Sequence, residues 1–135
     1  EASGNFKVFL LPYDYDNTLG TSMFYDAGRQ DPYNWGGTGI LMERLLKFNN
    51  FKEMYRDALK ELADPSKGLF HMDASVPRIQ AWQAKISPYI ANDTGEDMEI
   101  YDQPAGWGTH GEYRLMNTGS NNFFRVKTET INRMN

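Results

Sequence analysis

The sequence predicts a predominantly helical α+β domain: one N-terminal buried strand or small hairpin, three to four helices, and long loops between them. Three observations predict it. The run Phe6-Lys7-Val8-Phe9-Leu10-Leu11 is almost wholly apolar and rich in aromatic and branched side chains, which reads as a strand buried on both faces. Later stretches carry apolar residues at helical spacing, with no strands alternating between them, so a doubly wound sheet is not encoded. Two further stretches, residues 21–39 and 95–119, are dense in turn formers and aromatics and show no period. With 135 residues the chain is long enough for one domain, residues 1–135, with a core of its own.

The apolar run ends in Pro12-Tyr13-Asp14-Tyr15-Asp16-Asn17-Thr18-Leu19-Gly20. If the chain stays extended past Pro12, Asp14 and Asp16 point to the same side, because side chains alternate along a strand. Two like charges there repel each other, and a divalent cation held by carboxylate oxygens is the usual compensation. The plainer alternative has both carboxylates capping turns, with Asp16-Asn17 opening one and Gly20 closing it. The loop that follows contains Asp31-Pro32-Tyr33-Asn34-Trp35-Gly36-Gly37-Thr38-Gly39. Loops of this length in compact domains are often functional. Its glycines lack the Lys-Ser/Thr of a phosphate-binding P-loop and serve loop geometry instead.

Residues 40–48 carry Leu41, Leu45 and Phe48 at helical spacing and predict a short buried helix. Asn49-Asn50 breaks it, and Asn50 with Glu53 forms a capping-box-like pair for the next helix. There Phe51, Met54, Tyr55, Ala58, Leu59 and Leu62 make one apolar stripe, expected to be core, and Pro65 follows the end. After a link over residues 66–74, Ser75 is the expected N-cap of a third helix, with Pro77 in its first turn. Ile79, Trp82, Ile86, Tyr89 and Ile90 are its expected buried face, and Pro88 should kink or end it. Residues 98–101 suggest a short strand. Trp107, Gly108, His110, Gly111 and Tyr113 read as an aromatic, glycine-rich loop. Ser120-Asn121 caps a last helix to about Met134, with Phe124, Lys127, Thr128 and Ile131 on one face. His71 and His110 read as loop histidines, since neither belongs to a metal-ligand spacing.

Composition excludes several function classes. A net charge of -4 argues against a nucleic-acid-binding surface. No Lys/Arg run suggests a membrane surface, and no apolar stretch is long enough to span a bilayer. Without cysteine there is no disulfide, thiolate metal site or cysteine nucleophile, and no Gly-x-Ser-x-Gly elbow offers a serine one. Glu1-Ala2-Ser3-Gly4-Asn5 is neither a start methionine nor a signal peptide, so a processed chain or a piece of a larger one is expected.

Taken alone, the strand leading into Asp14-Tyr15-Asp16-Asn17-Thr18 resembles the first motif of the haloacid-dehalogenase phosphatases. That resemblance implies a nucleophilic Asp14, an acid/base Asp16 and Mg2+. The remaining motifs of that fold are missing: Lys85 lies in a predicted helix, and Glu96-Asp97 and Asp102 follow a polar turn. The longer pattern resembles another family. The Asp motif, then Arg44-Leu45-Leu46, then Asn50-Phe51 through Tyr55, a long helix with Ile79 and Ile86, and a terminal helix opening on Phe123-Phe124 look like the C-terminal part of the CotH family, the spore-coat-protein-H-like atypical protein kinases. The similarity covers nearly the whole chain.

The CotH resemblance implies the C-terminal lobe of a kinase-like fold and phosphoryl transfer from ATP to protein Ser/Thr. It implies Mg2+ (or Mn2+) held by Asp14 and Asp16, with Asn17 on the metal or a water. Lys127, or Arg125 one register away, stands in place of an Arg usual in the last helix and is the expected further cofactor contact. It also implies a bacterial protein that is exported or associated with a cell surface or coat. The nucleotide-clamping lysine and catalytic base of that family lie upstream of the Asp motif. A fragment inactive by itself is therefore expected. A non-catalytic alternative remains, in which Trp35, Tyr101, Trp107 and Tyr113 form a protein- or glycan-binding surface; the plainer expectation is that these aromatics pin long loops to the core.

Overall fold

The computed structural model describes residues 19–20, 26–34, 40–90 and 112–134. Four α-helices run through them in order: α1 Ile40–Leu45, α2 Asn49–Ala63, α3 Met72–Ile90 and α4 Phe123–Asn132, with a 3-10 turn Pro65–Lys67 between α2 and α3. The predominantly helical class holds. Among the described residues there is no strand, only an isolated parallel bridge between Arg114 and Asn122. The strands expected at residues 6–11 and 98–101 lie outside the described residues.

Helix α4 organises the packing. Phe123, Phe124 and Val126 cluster with Tyr113, and Phe70, Met72 and Ile79 from the α3 side close over them. The rings of Phe70 and Phe124 meet edge to face at 5.0 Å, and those of Tyr113 and Phe123 at 5.6 Å, the preferred aromatic geometry. Further along α4, Ile131 and Met134 bury against Ala63 of α2, with Leu59 and Tyr33 beside them. The α4 N-cap is Asn122, one residue beyond the expected Ser120-Asn121. Its Oδ1 accepts from the Arg125 N–H at 3.0 Å. Its Nδ2 donates to the carbonyls of Leu115 and Asn117, so a fully buried amide is satisfied on both sides.

Several expected boundaries and burials are corrected. Helix α2 begins at Asn49, with an extended Phe48 at the cap position and no side-chain cap, so the Asn50–Glu53 capping pair does not form. Its exposed first-turn N–H groups can be met by water. Helix α3 begins three residues before Ser75. The His71 carbonyl accepts from Ala74 and Ser75, and His71 Nδ1 accepts from the Asp73 N–H at 3.3 Å. Ser75 instead donates its hydroxyl to the Phe70 carbonyl at 2.9 Å. Pro77 therefore sits inside the helix, where it removes one bond to the preceding turn, and α3 also runs past Pro88 to Ile90. Helix α1 forms but buries nothing, with Ile40 and Leu41 65% and 66% exposed. Of the expected α3 face, Ile79 is half-buried, whereas Trp82, Ile86 and Tyr89 stand exposed.

Candidate functional site

The acidic motif itself, Asp14, Asp16 and Asn17, lies outside the described residues, as do Trp35, Tyr101, Trp107 and His110. What is described is how the chain leaves that motif and how the following loop is held. Leu19 and Gly20 both take the left-handed conformation, at φ 53 and 99, and turn the chain directly onto the core. Gly20 is buried, and a Cβ there would lie 2.9 Å from the Phe123 ring and 3.0 Å from the Tyr113 ring. Only glycine meets both the backbone and the space requirement at this point.

Tyr113 then reaches a second segment. Its ring lies so close to Gly28 that a methyl group there would overlap the ring and its hydroxyl. The Tyr113 hydroxyl donates to the Asp26 carboxylate. Arg29 caps the other carboxylate oxygen at 2.8 Å and extends to the Tyr113 oxygen at 3.3 Å. Burial pushes the Asp26 pKa up, but the hydrogen bonds from Tyr113 and Arg29 outweigh it and hold the carboxyl below its usual range. Burial, together with the bond to Asp26, raises the Tyr113 phenol far above its ordinary value.

Helix α4 grips the same loop from the other side. Lys127 Nζ donates to the carbonyls of Ala27 and Gln30 at 2.9 and 3.1 Å. Thr130 Oγ1 donates to the Gly28 carbonyl at 3.0 Å. Burial lowers the Lys127 pKa, with Asp26 and Asp31 acting in the opposite direction. The loop closes on itself through Gln30 N–H to the Asp26 carbonyl at 2.8 Å and Tyr33 N–H to the Asp31 carboxylate at 2.9 Å. Tyr55 of α2 adds a bond to the Pro32 carbonyl at 3.2 Å. The ammonium of Lys127, expected on the cofactor, is thus engaged by backbone carbonyls. Tyr113, expected in one alternative on a binding surface, is 4% exposed and pins a loop.

An open groove of about 460 Å³ runs alongside, between this loop, α2 and α4, lined by Arg29, Asp31, Tyr33, Lys52, Thr130 and Arg133 among others. Its charges are largely balanced: Arg29 pairs with Asp26, Arg133 lies 3.8 Å from Glu129, and Lys52 stacks 4.5 Å over the Tyr33 ring. Among the described residues no group of three or more His, Asp or Glu side chains could hold a metal ion. His71 lies in the turn before α3, where its Nδ1 accepts from the Asp73 N–H, in keeping with a loop histidine. Asp26 and Thr130 carry no sequence signal for their role, because Tyr113 and Gly28, the partners that define it, are 87 and 102 positions away.

A sequence profile of the family described as CotH kinase protein matches residues 1–118, a span that includes the acidic motif and stops short of α4. Among curated proteins, Inner spore coat protein H of Bacillus subtilis (strain 168) is 27% identical over 103 residues, covering 75% of this chain and 27% of the relative. The chain thus spans about a quarter of the length of that relative. No solved structure matches.

Proposed function

The chain belongs to the CotH kinase protein family, and on that footing we propose that it contributes the metal-holding acidic motif of a site that transfers phosphoryl groups from ATP to protein Ser/Thr. The observation that carries this reading is the span of the family match, which takes in Asp14-Tyr15-Asp16-Asn17-Thr18. Two carboxylates and an amide oxygen are hard oxygen donors and suit Mg2+ or Mn2+. A metal ion there neutralises phosphate charge, the main demand that phosphoryl transfer makes of a protein. Asp14, first to leave the apolar run, is the principal ligand; Asp16 is a second ligand or orients it; Asn17 holds the metal or a water. The likeness to a spore coat protein supports a bacterial coat as its setting.

The test is Mg-ATP titration and phosphoryl transfer by the full-length protein against its Asp14→Ala, Asp16→Ala double variant. Transfer is expected to fall by about 100-fold or more, the scale on which lost charge stabilisation acts. Unchanged nucleotide affinity and unchanged transfer would remove these residues from catalysis. A generic phosphomonoester should not be turned over; turnover by this chain alone would favour the haloacid-dehalogenase-like reading. The relative's name favours one second reading, a non-catalytic coat interaction module. Loss of partner binding on Trp107→Ala, with Asp14→Ala silent, would select it.

A further inference from the structure

We infer that the groove between residues 26–34, α2 and α4 is a docking site for a phosphorylated segment of protein, one bearing phosphoserine or phosphothreonine. The source of that phosphate rests on the phosphoryl-transfer reading above; the groove itself does not. Three cations from three separate elements line it: Arg29 from the loop, Lys52 from α2 and Arg133 at the C-cap of α4. Among its described lining residues the carboxylate is Asp31, which already accepts from the Tyr33 N–H at 2.9 Å. This local excess of positive charge occurs in a chain whose net charge is -4.

The carboxylates that balance the two arginines, Asp26 and Glu129, do not line the groove. Both pairs are open to water, with the arginine side chains 61% and 79% exposed, and Arg133 stands 3.8 Å from its partner. Exposed pairs of this kind contribute little, so a stronger anion can draw the guanidinium groups to itself. Lys52 lies over the Tyr33 ring, and no ion pair holds it among the described residues. A phosphate brings close to two charges and three acceptor oxygens, which suits two guanidinium forks and an ammonium better than a single carboxylate does. Tyr33 and Lys52 also line a smaller groove of about 200 Å³, with Asn49, Glu53 and Arg56, so the two meet across these residues. An open, two-part trough suits a run of chain laid across it, since small-molecule sites enclose most of their ligand. Pro32 and Met134 add apolar contact beside the charges.

The probe is a short fluorescein-labelled alanine peptide carrying one phosphoserine, compared by fluorescence anisotropy with its serine and glutamate counterparts on the full-length protein. The phosphoserine peptide is expected to bind, and the other two to bind at least about tenfold more weakly. A Lys52→Gln, Arg133→Gln double variant should lose about tenfold or more of the phosphopeptide affinity. Both side chains are exposed, and helical circular dichroism confirms that the variant stays folded. Lys60→Gln removes an exposed lysine of α2 that lines neither groove and should bind as the wild type does. The Asp14→Ala, Asp16→Ala protein should also bind the phosphopeptide normally. Absence of binding by the wild type, undiminished binding by the Lys52, Arg133 variant, or an equal loss in Lys60→Gln overturns the docking site, whatever the aspartate variant does to transfer. Equal affinity for the glutamate peptide overturns the phosphate specificity and makes the groove a site for acidic peptides. Loss of binding in the aspartate variant assigns the peptide to the acidic motif and overturns the groove. Unchanged transfer in that variant removes the acidic motif from catalysis and leaves the binding result standing.

Discussion

The surroundings of α4 and those of α1 and distal α3 are made of the same kinds of side chain and have opposite fates. Around α4, Phe123, Phe124, Val126 and Ile131 are each at most 6% exposed. Along α1 and distal α3, Leu41, Trp82 and Tyr89 are 66%, 58% and 76% exposed. Both regions carry apolar residues at helical spacing. Spacing identifies side chains that share a face, but burial needs a second surface to arrive there. At α4 that surface comes from Phe70, Ala27 and Tyr113, drawn from three separate parts of the chain.

The largest contrast should come from truncating one aromatic in each region. Phe124→Ala removes a ring packed edge-on against Phe70 and is expected to cost about 3–5 kcal/mol in urea denaturation. Trp82→Ala removes a larger but exposed ring and should stay within about 0.5 kcal/mol. A comparable loss from both would mean that distal α3 is covered in solution. Gly28→Ala comes next. It adds a single methyl group, yet that methyl meets the Tyr113 ring, and overpacking of this kind costs about 1–3 kcal/mol.

A smaller effect appears in acid. The Asp26 carboxyl is held below its ordinary value in the fold, so its contribution is complete above the unfolded pKa of about 3.9 and is lost as pH falls through the lower folded value. Stability followed from pH 6 downward should therefore drop more steeply below about pH 4 in the wild type than in Tyr113→Phe, which lacks one of the bonds holding the carboxylate down. Parallel curves would show that the Tyr113 hydroxyl does not hold Asp26 in solution.

Helices were legible wherever local chemistry decided them. The stripe Phe51, Tyr55, Leu59 and Leu62 marks the extent of α2, although it is not the expected core, since Phe51, Met54 and Leu62 are exposed; Phe124, Thr128 and Ile131 mark α4. Their starting points were less legible. At α3 a histidine carbonyl and ring do the work expected of Ser75, and the helix tolerates Pro77 beyond its first turn. The acidic motif stands out because its elements are contiguous in sequence. The loop's fastening does not, because Asp26 and Tyr113 are 87 positions apart and Lys127 and Ala27 are 100 apart. Nothing in either neighbourhood names the other. Lys127 illustrates the difficulty: a lysine on a helix face reads as available to a ligand until the carbonyls it already holds are seen.

Those separations also govern when this part of the molecule assembles. Closing a connection of 100 residues costs about 4 kcal/mol of chain entropy by ideal scaling, whereas the turns of α2 and α3 close locally. Contacts so distant in sequence form slowly, because the loop-closure entropy must be met before they reward it. Helix α4 is made about a hundred residues after the loop it clasps, so that loop stays unfastened until the whole intervening stretch has been made.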